Sequence, residues 1–361
     1  MTNRERYLAT FRFQPVDRAL FWDFGYWAET PEVWRKEGLP ETVTDLETFF
    51  GFDPTASVPV NTGLIPAFQW EILSEEEGSR VIRDSAGVVQ RESTRGSSIP
   101  HFLEYPVKTR EDWESFKERF QAEDPGRYPH DWGDVVTRLQ RRDYPVTIGG
   151  GGFFGNLRNI MGFERLMHTY YDDPAWIHEM NEFFLTFWQR VMGRALREVQ
   201  VDAATMWEDM AYRNGPLISP AMFREFMLPY YKRMTGFLRD HGVDIVIVDS
   251  DGNMDLLLEL FVEGGVTAML PFEVRAGMDV LKVRQEFGKR MAIIGGIDKH
   301  QLAKDRAAID RELHQKLPPL LRTGGFVPTV DHRVPPTVPY ENYRYYVTRK
   351  YEMLHDHRLY R

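Results

Sequence analysis

The sequence predicts an α/β chain built on a (β/α)8 TIM-type barrel, with an N-terminal helix and an inserted antiparallel β meander. Three observations lead there. Short apolar runs alternate with helix-length amphipathic stretches after about residue 144, as βαβ units require. The 361 residues suit one barrel of about 250 residues plus insertions. Acidic residues sit where those apolar runs end, at the edge on which such barrels place their chemistry.

The elements follow in order. Thr2 or Asn3 caps a helix running to about Phe13, with Tyr7, Leu8 and Phe11 at helical spacing. Ala19–Phe24 reads as the first barrel strand, with Asp23 near its end. A strand is expected within Phe52–Val60. Glu71–Leu73, Arg80–Arg83 and Val88–Gln90 are strand-like pieces separated by Glu77-Gly78 and Ser85-Ala86-Gly87 turns, a meander inserted at 70–100. Six further strands are expected at Pro145–Ile148, Val201–Met206, Asp244–Val248, Val266–Leu270, Met291–Ile294 and Phe326–Val330, with helices such as Trp176–Arg197 and Pro220–His241 between them. The whole of 1–361 reads as one domain.

Composition bounds the function. There are 45 Lys plus Arg against 54 Asp plus Glu, a formal charge of −9, which disfavours a nucleic-acid binder. Apolar residues make up 42%, enough for a sizeable core. The chain has no Cys, so thiolate metal sites, Fe–S clusters and thiol nucleophiles are excluded. No apolar run is long enough for a signal peptide or a membrane span, so a cytoplasmic location without membrane attachment is expected.

The strand ends carry Asp23, Glu208, Asp209, Asp249, Asp251, Glu273, Asp298 and Asp331, joined by His332. Single acids there are often helix caps, but capping does not require Glu208 or Glu273. Asp249-Ser250-Asp251-Gly252-Asn253 is the most specific feature. Residues i and i+2 of a strand share a face, so its two carboxylates converge and share either a proton or a cation. With Glu273 and His332 they form either a divalent-metal site (zinc or a harder ion) or a metal-free proton-transfer pocket. Glu208, Asp249, Asp251 and Asp298 are the catalytic candidates. Asp23, Trp27, Tyr212, Arg213 and Arg333 are the candidates for substrate contact, with Arg158 and Arg275 as further cations. Trp22, Phe24, Tyr26 and Trp27 could wall a pocket for a flat ligand. Gly149-Gly150-Gly151-Gly152-Phe153-Phe154-Gly155 offers backbone N–H groups to an anion or is simply a tight turn. It matches neither the Walker nor the dinucleotide pattern, so neither NAD nor flavin is expected.

Four motifs carry a family resemblance. They are Ile218-Ser219-Pro220 through Phe223, Glu225-Phe226 and Pro229-Tyr230; Asp249-x-Asp251-Gly252-Asn253; Gly295-Gly296-Ile297-Asp298; and Gly324-Gly325, Pro335-Pro336 and Tyr340-Glu341-Asn342. The chain resembles the uroporphyrinogen decarboxylase superfamily over nearly its whole length. That resemblance implies a (β/α)8 barrel, a homodimer, and either decarboxylation (a lyase) or corrinoid-dependent methyl transfer. The decarboxylase signature near the first strand contains arginines that grip carboxylates. Here Phe21–Trp27 contains none, and Asp53 is the residue that could match the decarboxylase's essential Asp. The methyltransferase branch is the more similar. Its zinc ligands, a His-x-Cys pair and a later Cys, with a Glu in methionine synthases, fall on Asp249 and Asp251, on Asp331 or His332, and on Glu273. The expected enzyme therefore moves a methyl group between a small substrate and a corrinoid protein. Decarboxylation and non-catalytic tetrapyrrole or corrinoid binding are the alternatives.

Overall fold

Short strands buried on both faces are what parallel pairing under a coat of helices requires. In the computed structural model, which describes residues 1–96 and 99–360, the strands are β1 (Ala56–Ser57), β2 (Glu71–Glu76), β3 (Ser79–Arg83), β4 (Val89–Ser93), β5 (His101–Glu104), β6 (Val146–Gly149), β7 (Ala203–Trp207), β8 (Ala211–Tyr212), β9 (Gly215–Pro216), β10 (Val246–Asp249), β11 (Ala268–Leu270), β12 (Ala292–Ile294) and β13 (Phe326–Val327). Residues 97 and 98 of the expected insert, and residue 361, lie outside the described residues.

Seven strands pair in parallel in the order β1-β6-β7-β10-β11-β12-β13, a curled sheet. Alternation along each strand sorts its side chains between two apolar cores. Val246 and Val248 pack outward with the helices, whereas Ile245 and Ile247 pack inward with Ala203, Ala268, Ala292, Ile294 and Val327. Asp249 continues the inward row of Ile247. On the outside, the helix Pro174–Glu198 buries Ile177, Met180, Phe184 and Trp188. At one end, the helix Asn3–Phe11 brings Tyr7 and Phe11 against the inner core. A reciprocal capping box starts that helix, Glu5 N donating to Thr2 Oγ1 (3.1 Å) and Thr2 N to Glu5 Oε2 (2.8 Å).

Two expectations are corrected. Ala19–Phe24 forms no strand. Carboxylates make its cross-chain bonds: Phe21 N donates to Asp53 Oδ2 (2.9 Å), and the segment's own Asp23 Oδ1 accepts from Val330 N (2.8 Å). Asp53 N in turn donates to the Phe21 carbonyl (2.9 Å), and a single bridge joins Tyr26 to Val334. Side chains thus take the place of a ladder along this seam, between the stretch before β1 and the stretch after β13. The run Pro220–His241 is two helices, Pro220–Phe226 and Leu228–Asp240. Pro229 has no N–H to donate, so the first helix ends and Pro229 opens the next.

Residues 71–104 form a four-stranded antiparallel sheet in the order β2-β3-β4-β5. β5 is exposed along its length, without the alternation that would mark it in the sequence. Among the described residues, no helix is long and apolar enough to cross a membrane.

Candidate active site

The upper ends of β7, β10 and β11, with the stretch after β13, bring Asp209, Asp249, Asp251, Glu273 and His332 into one cluster. β10 ends at Asp249, and the ladder runs one residue further, Ser250 N donating to the Leu270 carbonyl (3.0 Å). The chain then turns at Gly252, whose φ is +85°; a Cβ there would lie 2.5 Å from the Ala211 carbonyl oxygen, so only glycine fits. Gly252 N donates to Glu273 Oε2 (2.9 Å), Asp251 N reaches Asp209 Oδ1 (3.4 Å), and His332 Nε2 lies 3.2 Å from Asp251 Oδ2. Asp209 itself takes the left-handed conformation, φ +47°, which aims its carboxylate back over the strand ends.

Charge crowding sets the chemistry of this cluster. Burial first, then the Asp251 and Asp209 charges, push Asp249 up to about 7, against the pull of His332 and Arg333. Burial and the Asp251 charge also raise Glu273 and Asp209, the latter opposed by Arg158. Burial disfavours the His332 cation, but the Asp251 hydrogen bond and charge outweigh it and hold His332 above the usual histidine range. The site therefore pairs a carboxyl that is half protonated near neutral pH with an imidazole that favours its proton.

Other acids from the same edge are fasteners. Glu208 is 0% exposed and accepts from Phe153 N (2.8 Å), Phe154 N (2.9 Å), Gly155 N (2.8 Å) and Tyr231 OH (2.5 Å). It is the anion that the glycine-rich loop binds. A Cβ on Gly152 would sit 2.1 Å from Glu208 Cδ, which explains the glycine there. Burial raises the Glu208 carboxyl against those four hydrogen bonds. Both of its oxygens are occupied within the fold. Asp298 caps Lys299–Leu302 through His300 N (2.9 Å) and binds Gln301 Nε2 (2.8 Å), so it too stands outside the cluster. Asp331 is fully buried, tying Val274 N (3.0 Å) and Lys299 N (3.1 Å). His332 is thus oriented by Asp251 and not by its neighbour Asp331. Asp23 is saturated by Val330 N, Phe24 N, Tyr343 OH and the buried Lys350, so it is not free to bind a substrate.

The remaining candidates divide. Trp27 and Phe24 flank His332, with ring centroids at 6.1 and 5.4 Å. Tyr212, Arg213 and Arg333 are exposed, Tyr212 on the β8–β9 hairpin. Arg158 is held by the Asp209 carbonyl and lies over Trp207, and Arg275 is 3.8 Å from Asp298. Asp53 is held bidentately by Arg18 (2.6 and 2.8 Å). One member escaped sequence reading. Lys299 Nζ lies 3.2 Å from Asp331 and 3.8 Å from Glu273, placing a cation beside the acids. It opens a short helix after Asp298, with no pattern to single it out. Below the cluster, inside the curled sheet, is a cavity of about 310 Å3.

The thiolate zinc site implied by the resemblance does not fit. Both Cys positions hold Asp or His, and among the described residues no three His, Asp or Glu side chains gather closely enough to hold a metal ion. His332 and Glu273 are turned instead to Asp251 and to Gly252 N.

Residues 83–352 match the family described as Uroporphyrinogen decarboxylase (URO-D). The chain belongs to the uroporphyrinogen decarboxylase family. It is similar to the uroporphyrinogen decarboxylase of Syntrophotalea carbinolica, 25% identical over 194 residues that cover 51% of this chain and 50% of that one. It is also similar to that of Geobacter sulfurreducens, 30% identical over 130 residues, 36% of each chain. The chain spans half the length or less of these curated relatives. Its fold is shared with a methyltransferase from Methanosarcina mazei at a TM-score of 0.61, with 15% identity, over 98% of this chain and 99% of that one.

Proposed function

We propose that this chain is a methyltransferase-like enzyme of the uroporphyrinogen decarboxylase superfamily, moving a methyl group between a small substrate and a corrinoid carried by a separate protein. The observation that carries this reading is Asp249, a carboxyl pushed up to about 7 among Asp209, Asp251 and His332 at the strand ends. A group that carries its proton near neutral pH is suited to general acid catalysis. The aromatic, arginine-free segment Phe21–Trp27 and the fold shared with a methyltransferase support the same branch.

The cavity lies at the lower end of the roughly 300–1,000 Å3 of small-molecule sites, too small to enclose a corrinoid, which would face the site from outside. When bound, the corrinoid supplies the nucleophile that takes the methyl group. Asp249 acts on the other fragment. As the bond from methyl to oxygen or nitrogen breaks, the bonding pair stays on the heteroatom, and the Asp249 proton neutralises it. Asp249 is left as carboxylate beside Asp251 and Asp209, whose repulsion drives it to regain a proton from solvent. Asp251 orients His332 through the 3.2 Å contact, and Phe24 and Trp27 keep water from the imidazole.

A second reading, decarboxylation of a carboxylated compound, draws on the family match itself. There Asp249 would deliver the proton that replaces CO2 at carbon. Methyl transfer assayed with a methyl-accepting corrinoid protein and methoxy, amine and thiol donors should show turnover with an oxygen or nitrogen donor. No turnover with any of the three would overturn the first reading, and CO2 release from a porphyrinogen would establish the second.

A further inference from the structure

We infer that the cavity inside the curled sheet is a binding site for a neutral, flat, largely apolar molecule, and that it selects an aromatic ring bearing the transferable group. The substrate class rests on the methyl-transfer reading above; the binding site does not. The cavity is about 310 Å3 in volume.

Its walls define the ligand. Thr205, Ile247 and Leu270 line it from the inward faces of β7, β10 and β11, while Trp22, Phe24 and Phe52 contribute ring surfaces. Aromatic rings and the aliphatic Ile247, Leu270 and Ile294 favour a flat apolar guest, with Thr55, Thr147, Thr205 and Thr329 as the polar part of the lining. Its charge is already balanced. Asp23 meets Lys350 (3.4 Å) and the Tyr343 hydroxyl (2.8 Å), and Asp53 is clamped by Arg18. Glu47, the remaining acid of the lining, is exposed to solvent. A charged guest would thus lose its hydration with no countercharge left to meet it. Tyr7 lines the cavity as a fully buried ring.

The cavity also stands in register with the acid cluster. Ile247 lines it, and Asp249 is the next inward residue on the same strand, about 6.8 Å further along. Phe24 lines the cavity and packs on His332 at 5.4 Å. A six-membered ring held beside Ile247 would therefore carry a para substituent up to the Asp249 carboxyl.

Calorimetric titration of the full chain with methoxybenzene, benzoate and tetramethylammonium tests this. Methoxybenzene should bind saturably, and both charged probes at least tenfold more weakly. Two cavity-filling variants, Thr205→Leu and Ile294→Phe, should each weaken methoxybenzene binding at least tenfold, with folding checked by near-ultraviolet circular dichroism. Asp249→Asn should leave binding within threefold while removing turnover. No saturable binding of methoxybenzene, equal binding of benzoate, or unaltered binding in whichever filled variant is folded would overturn the inference. Binding without methyl transfer would uphold the site and defeat the function proposed above. Methyl transfer from an aliphatic donor, with no methoxybenzene binding, would do the reverse.

Discussion

Two sets of acids share one edge of the sheet, and their environments are opposite. Glu208 and Asp331 are fully buried, and hydrogen-bond donors meet both of their carboxylate oxygens. Asp249, Asp209 and Glu273 are partly buried and crowded by like charge, so all three are pushed towards protonation. Chain neighbours, Glu208 beside Asp209 and Asp331 beside His332, are therefore placed in different environments. Position at a strand end does not by itself make an acid catalytic. What decides is whether backbone N–H groups or other carboxylates surround it.

The comparison can be broken most severely at Glu208. Glu208→Ala would orphan three backbone N–H groups and the Tyr231 hydroxyl in a sealed interior. At about 1–3 kcal/mol each, that is a large share of the 5–15 kcal/mol typical of a domain. We expect little soluble folded protein, read by expression yield and thermal unfolding; a variant melting within a few degrees of the parent would show that Glu208 is no fastener. Asp249→Asn should behave inversely, folding normally while turnover falls by about 10²–10⁴, the usual contribution of a general acid. Retained activity would remove Asp249 from the mechanism.

The crowding at Asp249 should also show in pH response. Asp249 holds a proton in the native state up to about pH 7, whereas the unfolded chain releases it near the ordinary aspartate value of 3.8. Its contribution to stability is therefore complete below the unfolded value and is lost as pH rises through about 7. Urea unfolding at pH 5 and pH 8 should show Asp249→Asn losing less stability than the parent over that interval; an unchanged pH slope would contradict the shift. In kinetics, kcat/KM should fall as pH rises above about 7. That limb should move to lower pH in Asp251→Asn, because removing the neighbouring charge relieves Asp249. Elemental analysis should find no stoichiometric metal in the purified protein. A full equivalent that disappears in Asp251→Ala would show that the acids converge on an ion after all. The smallest effect is expected at Tyr212, which is 64% exposed on its hairpin. Tyr212→Ala should change stability by no more than about 0.5 kcal/mol, and any kinetic effect should appear in KM.

Much of the scaffold was legible because it is periodic. Apolar runs, all but the first ending at or near an acid, located the parallel strands β6, β7, β10, β11, β12 and β13 to within a few residues, since burial on both faces leaves a continuous apolar signature. The seam at Ala19–Phe24 was not legible as what it is. Its composition is that of a strand, yet the Asp23 and Asp53 carboxylates, distant in sequence from the groups they bind, take the hydrogen bonds a ladder would use. Within the site, the convergence of Asp249 and Asp251 and the nearness of Glu273 and His332 followed from strand alternation and strand order. Lys299 did not, because its approach to Glu273 depends on how two loops fold against each other.

The amino-acid sequence alone determined that this chain would alternate strand and helix, gather acids at one edge of a parallel sheet, and do without thiolate chemistry. Those outcomes depend on local periodicity and on residue type. Only the tertiary structure decided which acids became buried fasteners and which were left crowded by like charge. Hydrogen-bond satisfaction and charge repulsion act through space, between residues such as Glu208 and Phe153 or Asp251 and His332 that the chain keeps far apart.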